Sequence, residues 1–230
     1  MERSNGPITI EGTATRVAEL ATSSSAQRVL RNTYLLLSAS LLWSAACAGA
    51  AMAYALPYPG VLLTLVGFYG LLFAIERLRN SAWGVALVFA LTGFMGYTLG
   101  PVLSYYLRAI PNGGEVIMMA FGITGAAFLS LSAYAVISGR RFSFMTSFLM
   151  VGSITAFLLG LVAIFFHLPG LSLAVSGLFV LISSGIILWQ TGEIVNGGET
   201  NYISATVTLY VSIYNLFLSL LRILGAGSRN

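Results

Sequence analysis

From Asn32 to Leu224 the sequence is a succession of seven apolar stretches. Each is close to the ~20 residues that carry a helix across a bilayer. They run Asn32–Ala55, Gly60–Ile75, Ala82–Leu103, Val116–Ile137, Phe144–Phe166, Leu171–Trp189 and Ile203–Leu224. In lipid every backbone N–H and C=O must be satisfied within the protein, so a spanning segment is either a helix or part of a closed barrel. Barrel strands alternate apolar and polar residues, and these runs do not. The pattern predicts an all-α membrane protein, a bundle of seven transmembrane helices.

The charges agree. Only 8% of the 230 residues are charged, where a globular domain in water carries roughly 25%. All cations are Arg, all anions are Glu, and His167 is the only histidine. Without Lys there is no amine for a retinal-type Schiff base, and without Asp no aspartate relay. The net charge of +4 is too small and scattered for a nucleic-acid footprint. Cys47 is the single cysteine, which excludes an intrachain disulfide and a Cys-based metal site. It reads as a small packing residue, not a lipid-attachment site. Residues 1–27 balance Arg3 and Arg16 against Glu2, Glu11 and Glu19 and show no signal-peptide pattern. Rich in Ser, Thr and Gly and poor in large apolar groups, they read as an unstructured tail. Residues 28–230 read as the seven-helix domain.

The arginines orient the chain. Arg28 and Arg31 precede the first helix, Arg77 and Arg79 follow the second, and Arg140 and Arg141 follow the fourth. By the positive-inside rule this side is the cytoplasm, which places the N-terminal tail inside. An odd number of helices puts the C-terminus outside, against the evidence of Arg222 and Arg229. No loop is long enough to fold as a domain.

Small residues at four-residue spacing, Gly96 with Gly100 and Gly122 with Ala126, suit close helix packing. Trp43, Tyr54, Tyr58, Tyr105, Tyr106 and Trp189 include expected interfacial anchors. The last helix carries the most telling pattern. Asn201, Ser204, Thr208, Ser212, Asn215, Ser219 and Arg222 fall three or four apart and share one face. Such a row must be hidden from acyl chains, so the last helix is expected to be central. Ser176, Ser183 and Gln190 lie seven apart on the sixth helix, with Glu193 one turn further on. They offer a matching row, and a polar seam is expected near Gln190, Ser212 and Asn215. Its first reading is interhelical hydrogen bonding, worth about 0.6 kcal/mol per bond. The alternative is a cation or proton path.

Catalytic readings fail on composition. Ala174-Val175-Ser176-Gly177 is weakly similar to the serine motif of intramembrane proteases, but His167 sits at a helix end and cannot pair with Ser176 at bilayer depth. No His/Glu cluster suits metal-assisted hydrolysis. The chain is not expected to be an enzyme, and no cofactor is expected. His167 reads as a solvated cap and Glu76 as an interfacial charge neutralised by its neighbours.

Three blocks carry a family resemblance. Ser183-Ser184-Gly185-Ile186, Gly197-Gly198-Glu199-Thr200-Asn201-Tyr202 and the run from Leu209 through Asn215 to Gly225 resemble the C-terminal signature of the Bax inhibitor-1 family. Arg28 to Tyr34, Leu62 to Gly67 and Thr92 to Pro101 are similar to its bacterial branch. The resemblance implies seven helices with the seventh central. It also implies, for some members, a proton-sensitive calcium leak that depends on an Asp in each of the last two helices. Here Gln190 and Ser212 stand at those positions. Neither ionises, so the shared-proton switch of a carboxylate pair is missing, although both can offer oxygens to a cation. The bacterial branch implies a protein partner instead: FtsH, an ATP-dependent protease anchored in the bacterial inner membrane. A protein with a loose cytoplasmic tail and a tightly packed bundle would occupy such a protease as a slowly degraded substrate or inhibitor.

Overall fold

The computed structural model describes the backbone of residues 10–228 and the side chains of residues 24–228. Among the described residues there are seven long helices: α1 Ile10–Ala53, α2 Val61–Leu78, α3 Ala82–Ala109, α4 Gly113–Ser138, α5 Met145–Phe165, α6 Pro169–Val195 and α7 Tyr202–Gly227. Each contains a stretch apolar and long enough to cross a membrane, and the chain is a multi-pass membrane protein. In α1 this stretch is Ser24–Ala53. The helix, however, starts at Ile10, inside the segment expected to be an unstructured tail; residues 1–9 lie outside the described residues. Nucleation is the costly step in forming a helix. Once the membrane segment is helical, Ala14, Arg16, Ala18, Glu19, Leu20 and Ala21 can extend it at little cost.

Several helix ends are set by a residue in the left-handed region. Ala55 (φ 48°), His167 (φ 51°), Gly139 (φ 57°) and Gly197 (φ 73°) follow α1, α5, α4 and α6. After Ala55, His167 and Gly197, the next N–H bonds back to a carbonyl five residues earlier: Leu56 to Ala51, Leu168 to Ala163, Gly198 to Glu193. This closes the last turn and satisfies carbonyls that would otherwise be orphaned. His167 thus acts through its backbone, as a helix terminator.

α7 is the central helix. It packs against α1, α3, α4 and α6, and half of its span is buried within the protein, against 6% of that of α2. Asn201 fixes its start. The Asn201 side chain accepts hydrogen bonds from the Ile203 and Ser204 N–H groups at 3.0 and 3.1 Å, the geometry of an N-cap. Its amide donates to the Arg79 carbonyl and to Asn80 Oδ1 at 3.2 and 2.8 Å. Asn196 Nδ2 donates to the Arg140 carbonyl at 3.2 Å. The α2–α3, α4–α5 and α6–α7 links therefore gather at one end of the bundle, which carries Arg79 and Arg140. At the opposite end, Gly225 of α7 lies against Tyr106 and Ile110 of α3, so α7 crosses the whole bundle.

α1 lies on α3 along a ridge of glycines. A Cβ at Gly93 would stand 2.7 Å from Trp43 Nε1, one at Gly96 would meet the Ser44 carbonyl, and one at Gly100 would stand 2.8 Å from the Ala48 carbonyl. Trp43 donates to the Phe89 carbonyl at 3.0 Å, so it ties α1 to α3 rather than serving only as an interfacial anchor. The second small-residue pair behaves otherwise. Gly122 and Ala126 are exposed, and nothing stands within 4 Å of a Cβ at Gly122. The buried face of α4 is instead that of Val116, Ala120 and Thr124.

Candidate functional site

The polar row of α7 divides into three groups. Thr208 Oγ1 donates to the Ser204 carbonyl at 3.0 Å and Ser212 Oγ to the Thr208 carbonyl at 2.8 Å. Thr206, outside the row, donates to the Tyr202 carbonyl at 2.7 Å in the same way. Bonds of this kind satisfy a hydroxyl inside its own helix, so these side chains need no partner across an interface. Ser204, Asn201 and Arg79 form the second group, at the arginine-bearing end. There Arg79 bridges Glu76 at 2.9 Å and Ser204 Oγ at 3.4 Å. Asn215 is the third. It is half-buried and lines a cavity of about 390 Å³ bounded by α2, α3, α5, α6 and α7. Ser183 lines the same cavity. Ser219 is buried and Arg222 is exposed at the far end. Glu193 is half-buried beside Gly198 in the α6–α7 link.

Gln190 lies elsewhere. It is 2% exposed, does not line the Asn215 cavity, and its Nε2 has no partner among the described residues. The next residue, Thr191, meets Tyr34 of α1, with Oγ1 and Oη 3.4 Å apart. Thr206 of α7 reaches the Thr33 carbonyl at 3.3 Å. The structure therefore pairs Asn215 with Ser183 and leaves Gln190 near a junction with α1. No hydrogen bond among the described residues joins Gln190 to Ser212 or Asn215.

Besides Trp43 and Thr206, bonds that cross between helices in the interior come from tyrosines. Tyr210 is 1% exposed. Its hydroxyl lies 2.6 Å from Ser44 Oγ of α1 and donates to the Thr92 carbonyl of α3 at 3.3 Å. Its ring stacks on that of Tyr214, whose hydroxyl lies 3.1 Å from Thr98 Oγ1. Three helices are thus pinned together in the interior. Spacing alone did not single these residues out, because tyrosine counts as apolar in a hydropathy pattern; the signal available was a Tyr pair four apart on the helix with the polar face. Tyr210→Phe is expected to cost about 1 kcal/mol, within the range for interhelical bonds in membranes. Unfolding in detergent checks this: Ser44→Ala in the same chain should add less than its separate cost, because the two variants break one bond.

A bundle of seven spans closed around a buried, hydrogen-bonded seventh helix defines the class: a polytopic integral membrane protein built around its last helix. Residues 26–229 match the family described as "Inhibitor of apoptosis-promoting Bax1". The chain belongs to this family, the Bax inhibitor-1 family. Among relatives, an Escherichia coli K12 protein named "Modulator of FtsH protease YccA" is 52% identical, over 90% of this chain and 93% of its own. An uncharacterized Pseudomonas aeruginosa protein is 53% identical, over 86% of this chain and 88% of its own. An uncharacterized membrane protein of Vibrio cholerae is 44% identical, over 94% and 97%.

Proposed function

We propose that this chain sits in a bacterial inner membrane with its N-terminus in the cytoplasm, and that it binds and restrains the FtsH protease as a slowly degraded substrate. The observation that carries the reading is the 52% identity to the Escherichia coli modulator over nearly the full length of both chains. Positional charge supports the orientation: Arg28, Arg31, Arg79 and Arg140 fall toward one end of the bundle, the cytoplasmic end by the positive-inside rule. The internal ties support the restraint. An ATP-driven unfoldase pulling on residues 1–27 meets a first span whose removal breaks the Trp43, Ser44 and Tyr34 contacts to α3, α7 and α6. Slow extraction keeps the protease occupied.

The calcium or proton leak implied for other family members would need the oxygens of Gln190, Ser212 and Asn215 to face one path. Ser212 Oγ is turned back onto its own helix, and Gln190 does not line the cavity that Asn215 lines. This arrangement favours the modulator reading over a leak along that seam. The modulator reading is tested by affinity purification of the full chain from native membranes solubilised in mild detergent. FtsH is expected in the eluate. Its absence, from membranes where both proteins are present, would overturn the reading.

A further inference from the structure

The Asn215 cavity has the features of a ligand site. Its walls are aromatic on three sides: Phe68 and Tyr69 from α2, Phe157 from α5 and Phe179 from α6. Tyr69 and Phe157 meet edge to face at 5.8 Å. Into this apolar slot point Ser153, Ser183 and Asn215, one from each of α5, α6 and α7. None of the three side chains has a hydrogen-bond partner among the described residues, although Ser183 is only 2% exposed. In water an unpaired amide or hydroxyl is solvated. At bilayer depth it is left without compensation. A mostly apolar pocket with a few convergent polar groups is what small-ligand sites look like.

Size and charge choose the occupant. The cavity extends from Thr64 to Leu72 of α2, a rise of about 12 Å, and its 390 Å³ suit a small or slender molecule. No charged side chain lines the cavity. Glu76, the nearest acid along α2, borders an adjoining hollow toward the arginine-bearing end, which shares Tyr69 and Leu72 with the cavity, and it is held by Arg79. A phosphate or ammonium headgroup would find no counter-charge beside Asn215. Access is lateral: α2 packs chiefly on α3, and Tyr69 at the rim is 48% exposed toward the bilayer.

We propose that this cavity binds a neutral, membrane-soluble molecule with a planar head bearing hydrogen-bonding oxygens and one apolar tail, the chemistry of an isoprenoid quinone. The head lies between the Phe68, Phe157 and Phe179 rings. Its oxygens accept from the Ser153 and Ser183 hydroxyls and the Asn215 amide, and the tail leaves past Tyr69 into the acyl chains. The test uses an azido-ubiquinone photolabel on the purified full chain in nanodiscs, with labelled peptides mapped by mass spectrometry. Labelling is expected to saturate, to fall on segments containing residues 64–72, 153–157 and 179–186, and to be competed by decyl-ubiquinone but not by phosphatidylglycerol. Ser183→Ala and Asn215→Leu, which remove the polar atoms with little change of shape, are expected to cut labelling at least several-fold together without lowering the thermal unfolding temperature. Labelling that does not saturate and spreads over the exposed faces of α4 and α5 would overturn the proposal. So would equal competition by phosphatidylglycerol, which would make the occupant an acyl chain. If the variants do not fold, saturation and competition on the unmodified chain decide.

Discussion

Gly96→Leu is expected to destabilise the bundle by about 3 kcal/mol, at the upper end of what overpacking ordinarily costs. α1 and α3 approach so closely that a Cβ at Gly96 would meet the Ser44 carbonyl, and Cys47 Cβ would stand 3.0 Å away. Both obstacles lie at or next to backbone, so no rotamer change relieves the clash and the helices must separate. In water, burial of apolar surface would still draw them together. In lipid that force is absent between helices, and close van der Waals packing with interhelical hydrogen bonds has to hold them. Separation therefore removes the main source of attraction. It also pulls Ser44 away from the Tyr210 hydroxyl, a 2.6 Å contact, and Trp43 away from the Phe89 carbonyl. Gly122→Leu is the control. Its Cβ meets nothing within 4 Å, and the change is expected to stay within about 0.5 kcal/mol. Unfolding of the two variants in one detergent measures the contrast; equal losses would mean that the α1–α3 contact is not what the glycines serve.

That contrast also marks how far the sequence could be read. Gly96 with Gly100 and Gly122 with Ala126 are the same pattern on paper. Whether a small face meets another helix or the bilayer depends on how α4 is rotated, and periodicity along one helix carries no information about that. The seven spans were legible because lipid forces a long apolar helix wherever the chain crosses. The central place of α7 was legible because its polar residues form one unbroken face from Asn201 to Arg222. The site was legible in part. Asn215 and Ser183 do share a cavity. Ser212 does not join them, because a serine or threonine on a helix can satisfy itself on the carbonyl four residues back, as Ser212 does, and Gln190 lies near the junction with α1. A row of such residues therefore predicts an interface less firmly than a row of Asn or Gln. Several crossing bonds came from Tyr210, Tyr214 and Ser44, whose ring bodies or small size hide them in an apolar pattern. The start of α1 at Ile10 shows the same limit: composition judged residues 1–27 as a free segment, whereas in the chain part of it continues a helix already formed.

Deleting residues 1–23, which precede the first span at Ser24, is expected to lengthen the half-life of the protein several-fold in cells that contain FtsH, while leaving the bundle intact. A processive protease must first hold a segment that it can unwind. Among the segments on the arginine-bearing side, the links at 79–81, 139–144 and 196–201 are short, and Asn201 and Asn196 bond across them; none is long enough to grip. Residues 1–23 are the longest stretch of sequence outside the spans on that side, and the part from Ile10 that is helical has only the stability of a helix end, which frays readily. Gly96→Leu acts on the second stage. A loss of about 3 kcal/mol raises the opened population by roughly a hundredfold, and degradation that follows this population accelerates accordingly. The two changes combined separate grip from resistance. If degradation begins at the N-terminal segment, the truncated Gly96→Leu chain remains long-lived despite its weakened bundle. If that chain is instead cleared as fast as the full-length variant, the protease enters elsewhere, and the slow-substrate mechanism loses its first step.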